Sequence, residues 1–135
     1  TSNRKVNMTN STIKHVTAKG APAPGGSYSH GVIANGFLYT CGMGPIDPET
    51  GKVVEGDITV QTRQVLRNLE AILKTKGATF AQVVKVTTHL QELHRDFAGY
   101  DQAYREFLSA PFPVRTTVGS DLMNILVEID FVVAL

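Results

Sequence analysis

A two-layer α+β sandwich, ferredoxin-like in placing two helices on one face of a mixed β-sheet, is the fold this 135-residue sequence predicts. Short segments alternate apolar and polar residues as half-buried strands do, whereas two longer segments repeat their apolar residues at helical spacing. The segments run in the order β-β-α-β-α-β-β. No internal repeat and no linker divides them, so residues 13–135 read as one domain.

Each element follows from local chemistry. GAPAPGGSYSHG (20–31) is a Gly/Pro-rich loop. GVIANGFLYTCG (31–42) is a hairpin, because apolar runs flank Asn35-Gly36, the dipeptide that best tolerates the positive φ angles of a two-residue turn. A second turn-rich loop, MGPIDPETGKVVEGD, leads to a helix. Its stripe comprises Ile58, Val65, Leu66, Leu69, Ile72 and Leu73, with Asp57 as N-cap and Gly77 as stop. VVKVTTHLQ (83–91) is a strand with Val84, Val86, Thr88 and Leu90 on one face. A second helix turns Phe97, Tyr100, Tyr104, Phe107 and Leu108 inward. PVRTTV (113–118) sets Val114, Thr116 and Val118 on one face and Arg115 on the other. The last strand aligns Ile125, Val127, Ile129, Phe131, Val133 and Leu135. Leu38, Leu126, Val132 and Ala134 then fall on the second face of the sheet, which no third layer in the sequence covers. Oligomerisation is the simplest cover.

Composition narrows the function. Hydrophobic residues make up 42% and charged residues 19%, as in a folded chain rather than a disordered one. No apolar run approaches the ~20 residues of a membrane helix. A net charge of +1, with Lys and Arg dispersed, argues against a nucleic-acid surface. The single cysteine, Cys41, excludes an internal disulfide framework and fits a reducing compartment such as the cytoplasm. In LYTCG it reads as a small buried hydrophobe rather than a nucleophile. The first dozen residues, TSNRKVNMTNST, are polar and predict a flexible segment over 1–12 without a secretory signal. Being acid-poor and Ser/Thr-rich, they also fit the remnant of a mitochondrial or other organellar transit peptide.

The residues with chemical interest are few. Arg115 and Glu128 each sit mid-strand among small or apolar neighbours, and on adjacent antiparallel strands in the right register they would share a face. A charge so placed needs a partner. Either the two form a structural bridge, or the guanidinium grips a substrate carboxylate through two parallel hydrogen bonds while Glu128 handles a water. Asp101 shares the apolar stripe of the second helix with Phe97, Tyr104 and Leu108, so its carboxylate must be hydrogen-bonded or face a cavity or subunit seam. His15, His30, His89 and His94 lack metal-ligand spacing, and no helix opens directly after Gly42 and Gly44. Neither a metal site nor a dinucleotide fingerprint is read here.

Taken together, "GGSYSHG", "TCGMGP", "QTRQVLRNLEAILKTKGA", "VVKVTTHL" and "PVRTTV…LVEID" resemble, in that order, the Rid family. These are the YjgF-type reactive-intermediate deaminases, also called L-PSP endoribonucleases, and the similarity runs from about Ile13 to the end. The resemblance implies a chorismate-mutase-like fold and a homotrimer with ligand clefts between subunits. It also implies cofactor-free hydrolysis of 2-imino acids to 2-keto acids and ammonia. Position by position, it implies that Arg115 binds the substrate carboxylate with help from the Thr117 backbone. Glu128 would orient water, Tyr28 would close the cleft and Gly42 would line it. The chain departs from the family pattern at Cys41-Gly42-Met43, where Ser-Gly-Gln is common, at Leu122-Met123, where Leu-Pro is usual, and in a shorter stretch between Arg115 and Glu128. Asp101 replaces a common asparagine, so the cleft rim is expected to be negative and to disfavour acidic substrates. The alternatives to an enzyme are a regulatory trimer that binds small carboxylates without turnover, or an endoribonuclease or translation inhibitor.

Overall fold

The structure, a computed structural model, describes residues 13–135, so the flexible segment expected over 1–12 lies outside the described residues. The elements are β1 (Lys14–Val16), β2 (Gly31–Ala34), β3 (Phe37–Thr40), α1 (Ile58–Lys74), a 3₁₀ turn (Phe80–Gln82), β4 (Val83–Leu90), α2 (Leu93–Tyr104), β5 (Val114–Gly119) and β6 (Val127–Ala134). One six-stranded sheet runs in the order β1-β2-β3-β6-β4-β5. Its pairings are antiparallel except β4 with β5. A parallel pair cannot be closed by a tight turn, and α2 is the crossover that joins this one.

Local signals place these elements as the sequence predicts. Asn35 and Gly36 take φ angles of 52° and 81° in the β2–β3 turn. The Asp57 carboxylate accepts from the Val60 amide at 3.2 Å and from the Thr59 hydroxyl at 2.7 Å, capping α1. Past the other end of α1, Gly77 is left-handed at φ 65°. Both helices cover one face of the sheet. Val65, Leu66, Leu69, Ile72 and Leu73 of α1 and Tyr100 of α2 are buried with Val86, Leu90, Val127, Ile129, Phe131 and Val133. Each such side chain contributes ~1.5–3 kcal/mol through burial, and this layer is the core.

The face assignments differ from expectation at several residues. Leu38 lies on the helix side, fully buried, and Phe37 and Tyr39 occupy the uncovered face instead. Val84 is exposed because two residues of β4, Val83 and Lys85, oppose consecutive β6 residues, Val133 and Val132. This bulge turns Val83 rather than Val84 inward. Phe97 is 40% exposed, and Phe107 lies beyond the end of α2, half-buried and edge-on to Phe80. Ile125 and Leu135 lie outside β6. β1 was not anticipated, since three residues are too few to show alternation and only their pairing with β2 makes them a strand.

The uncovered face carries Phe37, Tyr39, Val114 and Val118 as exposed apolar side chains, with half-buried Val132 and Ala134 beside them. Among the described residues no helix is long and apolar enough to cross a membrane.

Candidate functional site

Arg115 leaves β5 on the helix side, because its register partner on β4 is the buried Val86. There it meets three aromatic rings of α2. Its guanidinium carbon lies 4.6 Å from the Tyr104 ring centre, 5.3 Å from Tyr100 and 5.6 Å from Phe97. The helical spacing 97, 100, 104 puts the rings on one stripe, so the residues read as core packing also form a cation-binding wall. Tyr100 is held beneath by a 2.5 Å hydrogen bond between its hydroxyl and that of Thr88. Thr117, two residues along β5 from Arg115, pairs in register with Thr88 on the same side.

Arg115 donates from Nη1 to Asp101 Oδ1 at 2.8 Å, and the Asp101 Oδ2 accepts from Arg105 Nη1 at 2.5 Å. Asp101 is thus the hydrogen-bonded carboxylate that its position on the helix stripe demands. Its contact with Arg115 is one-point, and the Nε–Nη2 edge makes no hydrogen bond to another described carboxylate, although the phenols of Tyr100 and Tyr104 also act on the guanidinium. That edge is the one that grips carboxylates in two parallel bonds. Arg115 lines a cavity of about 380 Å³ together with Asp101, Tyr104, Arg105, Phe112 and Pro113. Burial lowers the pKa of the Arg115 guanidinium, but its hydrogen bond to Asp101 and the nearby tyrosines more than offset this, so the group stays cationic. Burial, with Tyr100 and Asp101 adding to it, pushes the Tyr104 phenol up to about 12 and keeps it neutral.

Glu128 lies elsewhere. β4 separates β5 from β6, so Arg115 and Glu128 are not on adjacent strands, and Glu128 pairs with His89 on the uncovered face. The expected shared face is therefore incorrect within one chain, and so is a direct Arg115–Glu128 bridge. The reading failed because the sequence neighbour β6 is not the spatial neighbour of β5.

Gly42 belongs with Glu128. Tyr39 opposes Val132 while Met43 opposes Ile129, so four steps on one strand match three on the other, a bulge beside Glu128. A Cβ on Gly42 would lie 2.7 Å from Glu128 Oε2, so only glycine leaves the carboxylate where it is. Burial pushes the neighbouring Cys41 thiol up to about 11, which removes it as a thiolate nucleophile at neutral pH. Asp130, on the same face, is raised by burial and by Glu128, against the pull of His89 and Lys85.

Tyr28 stands apart from both groups, half exposed on its loop, its hydroxyl accepting from the Gly25 amide at 3.0 Å. The loop is clamped by His30, which the sequence weighs only as a metal ligand. The buried imidazole accepts from the Ala18 amide at Nδ1 (2.9 Å), which leaves Nε2–H to donate to the Pro22 carbonyl at 2.7 Å. Arg105 was also missed, and its i, i+4 spacing from Asp101 was the available signal. Among the described residues no group of three His, Cys, Asp or Glu could hold a metal ion.

Fold and geometry define a two-layer α+β protein with a cationic pocket between helix and edge strand on one face and a carboxylate–glycine pair on the other. Comparison with known proteins gives the family. The chain belongs to the endoribonuclease L-PSP family, the Rid/YjgF proteins, whose family model matches residues 18–135. A RutC family protein of Pyrococcus horikoshii is 40% identical over 117 residues, covering 85% of this chain and 92% of that protein. The Arabidopsis thaliana protein named Reactive Intermediate Deaminase A, chloroplastic, is 38% identical over 122 residues, covering 89% of this chain and 65% of the relative. The crystal structure of a Rid family protein, YyfA of Yersinia pestis, superposes with a TM-score of 0.86 at 35% identity, covering 91% of this chain and 99% of that one.

Proposed function

We propose that this protein hydrolyses small 2-imino acids, 2-aminoacrylate/2-iminopropanoate and 2-iminobutanoate, to 2-keto acids and ammonia, in clefts formed where copies of the chain meet in a homotrimer. The observation that carries the reading is Arg115, tied to Asp101 through Nη1 alone, in the wall of a cavity of about 380 Å³. The relative named as a reactive intermediate deaminase supports the reaction class.

Arg115 and Glu128 point to opposite sides of one sheet, so both can reach a single small molecule only if one comes from a neighbouring copy. The apolar residues of the uncovered face supply a reason for copies to associate there. In the proposed cleft, Arg115 of one subunit holds the substrate carboxylate, with Thr117 beside it. Glu128 and Gly42 of the next subunit face the C=N carbon, and Tyr28 closes the entrance.

The chemistry needs no cofactor. Water adds to the iminium carbon and gives a proton to Glu128, forming a carbinolamine. That proton then passes to the carbinolamine nitrogen, and the C–N bond breaks as ammonia leaves. The hydroxyl becomes the keto group by giving its proton to the Glu128 carboxylate, from which the departing ammonia takes it as ammonium. An iminium is already electrophilic, so orientation and one general base suffice.

The test generates 2-iminobutanoate in situ with threonine dehydratase and follows its disappearance. Addition of this protein should accelerate the decay, and Arg115→Ala should abolish the acceleration while the oligomer persists. If the unaltered protein has no effect on the decay, the enzyme reading fails and a carboxylate-binding trimer without turnover replaces it.

A further inference from the structure

The cavity holds two guanidiniums and one carboxylate, from Arg105, Arg115 and Asp101, while its remaining wall, Tyr104, Phe112 and Pro113, is uncharged at neutral pH. The three ionised groups form one chain: Arg105 Nη1 to Asp101 Oδ2, then Asp101 Oδ1 to Arg115 Nη1 at 2.8 Å. The Arg115 and Asp101 side chains are 23% and 24% exposed, so water screens these charges only in part. The negative rim expected from Asp101 alone is therefore not what the cavity presents. Its formal sum is +1.

Resting on the carboxylate reading of Arg115, we infer that the Arg105–Asp101–Arg115 chain makes Asp101 the residue that selects singly charged over doubly charged carboxylates. One carboxylate neutralises the cavity. A second on the same ligand leaves an excess negative charge within reach of Asp101, whose two oxygens are already paired and which cannot serve as a donor. The selectivity is built by repulsion at Asp101, which opposes the attraction that Arg115 and Arg105 exert on every carboxylate of the ligand. Arg105 has the complementary task. It offsets Asp101, so that the aspartate lowers the cavity's charge without cancelling its attraction for a first carboxylate.

The experiment compares 2-oxopentanoate with 2-oxoglutarate, which share a five-carbon chain and differ by one negative charge, titrated calorimetrically into the full-length protein. Expected is a preference for 2-oxopentanoate that Asp101→Asn lowers by roughly tenfold or more, as removal of a partly buried like charge should. Arg105→Gln leaves the Asp101–Arg115 contact in place. It should weaken 2-oxopentanoate severalfold and widen the preference. If Asp101→Asn weakens both acids equally, Asp101 serves only to hold Arg115, and the inference falls. An unchanged affinity ratio in the Asn variant also overturns it, with the carboxylate site intact. If the unaltered protein binds neither acid, the carboxylate site itself is overturned.

Discussion

Two arginines show how differently one residue type is used in this molecule. Arg63 of α1 donates from Nε and Nη2 to both oxygens of Glu106, each at 2.9 Å, closing its fork on the surface against the turn that follows α2. Its side chain is 36% exposed and that of Glu106 is 44% exposed. Arg115 gives Asp101 a single Nη1 contact, lies deeper, is backed by three aromatic rings and borders a cavity. A fork already closed on an internal carboxylate has nothing left to offer a ligand. A half-used fork over aromatic faces has its geometry set and its best edge free. Counting ion pairs would rank the two alike.

The contrast is sharpest in the effect of removing each guanidinium. Arg115→Ala should lower kcat/KM for imine hydrolysis on the order of 10²–10³-fold, as expected when a charge pairing with substrate out of water is lost. An Arg115→Ala protein with unchanged activity would place Arg115 in the same class as Arg63.

Glu128→Gln should follow, with a loss on the order of 10²-fold for a missing general base. It also allows a test of the proposed inter-subunit cleft. Arg115→Ala and Glu128→Gln chains, unfolded together and refolded as a mixture, should regain activity, because one of the mixed seams then carries both intact residues. Failure to regain it, with mixed oligomers demonstrated, would assign both residues to separate purposes.

Gly42→Ala should cost roughly 10- to 100-fold in kcat/KM, since its methyl group would stand 2.7 Å from Glu128 Oε2 and push the carboxylate aside, and a displacement near 1 Å is enough for that loss. Thermal unfolding of this variant should change little. Arg63→Ala comes last: activity unchanged, Tm within a few degrees, and whatever shift exists fading with added salt, because the pair is exposed and screened. A large Tm drop there would mean that the surface bridge does more than its exposure allows.

Much of this was legible in the chain. The hairpin turn at Asn35-Gly36, the Asp57 cap, both helices and the inward face of β6 depend on neighbours within a few residues, and short-range chemistry is written in order along a sequence. Arg115, Asp101 and Glu128 stood out for the same reason, as charges at places where a strand or stripe is otherwise apolar, whereas Gly42 was marked only by the family resemblance. The inward turn of Val83 was not legible, because a bulge shifts the alternation only when a partner strand is present to oppose it. Nor was the face of Leu38, because Phe37, Leu38 and Tyr39 are all apolar and only pairing opposite the buried Val133 decides which turns inward.

Sequence alone therefore determined which segments form strands and helices and which residues are chemically out of place, since both follow from local pattern and from the cost of burying charge. The tertiary structure decided that β4 lies between β5 and β6, that Arg115 and Glu128 point away from each other, and that Arg105 joins Asp101 in the cavity. Strand order and side-chain encounters are long-range. They are selected by how whole layers bury their apolar faces together, and no local period along the chain records that choice.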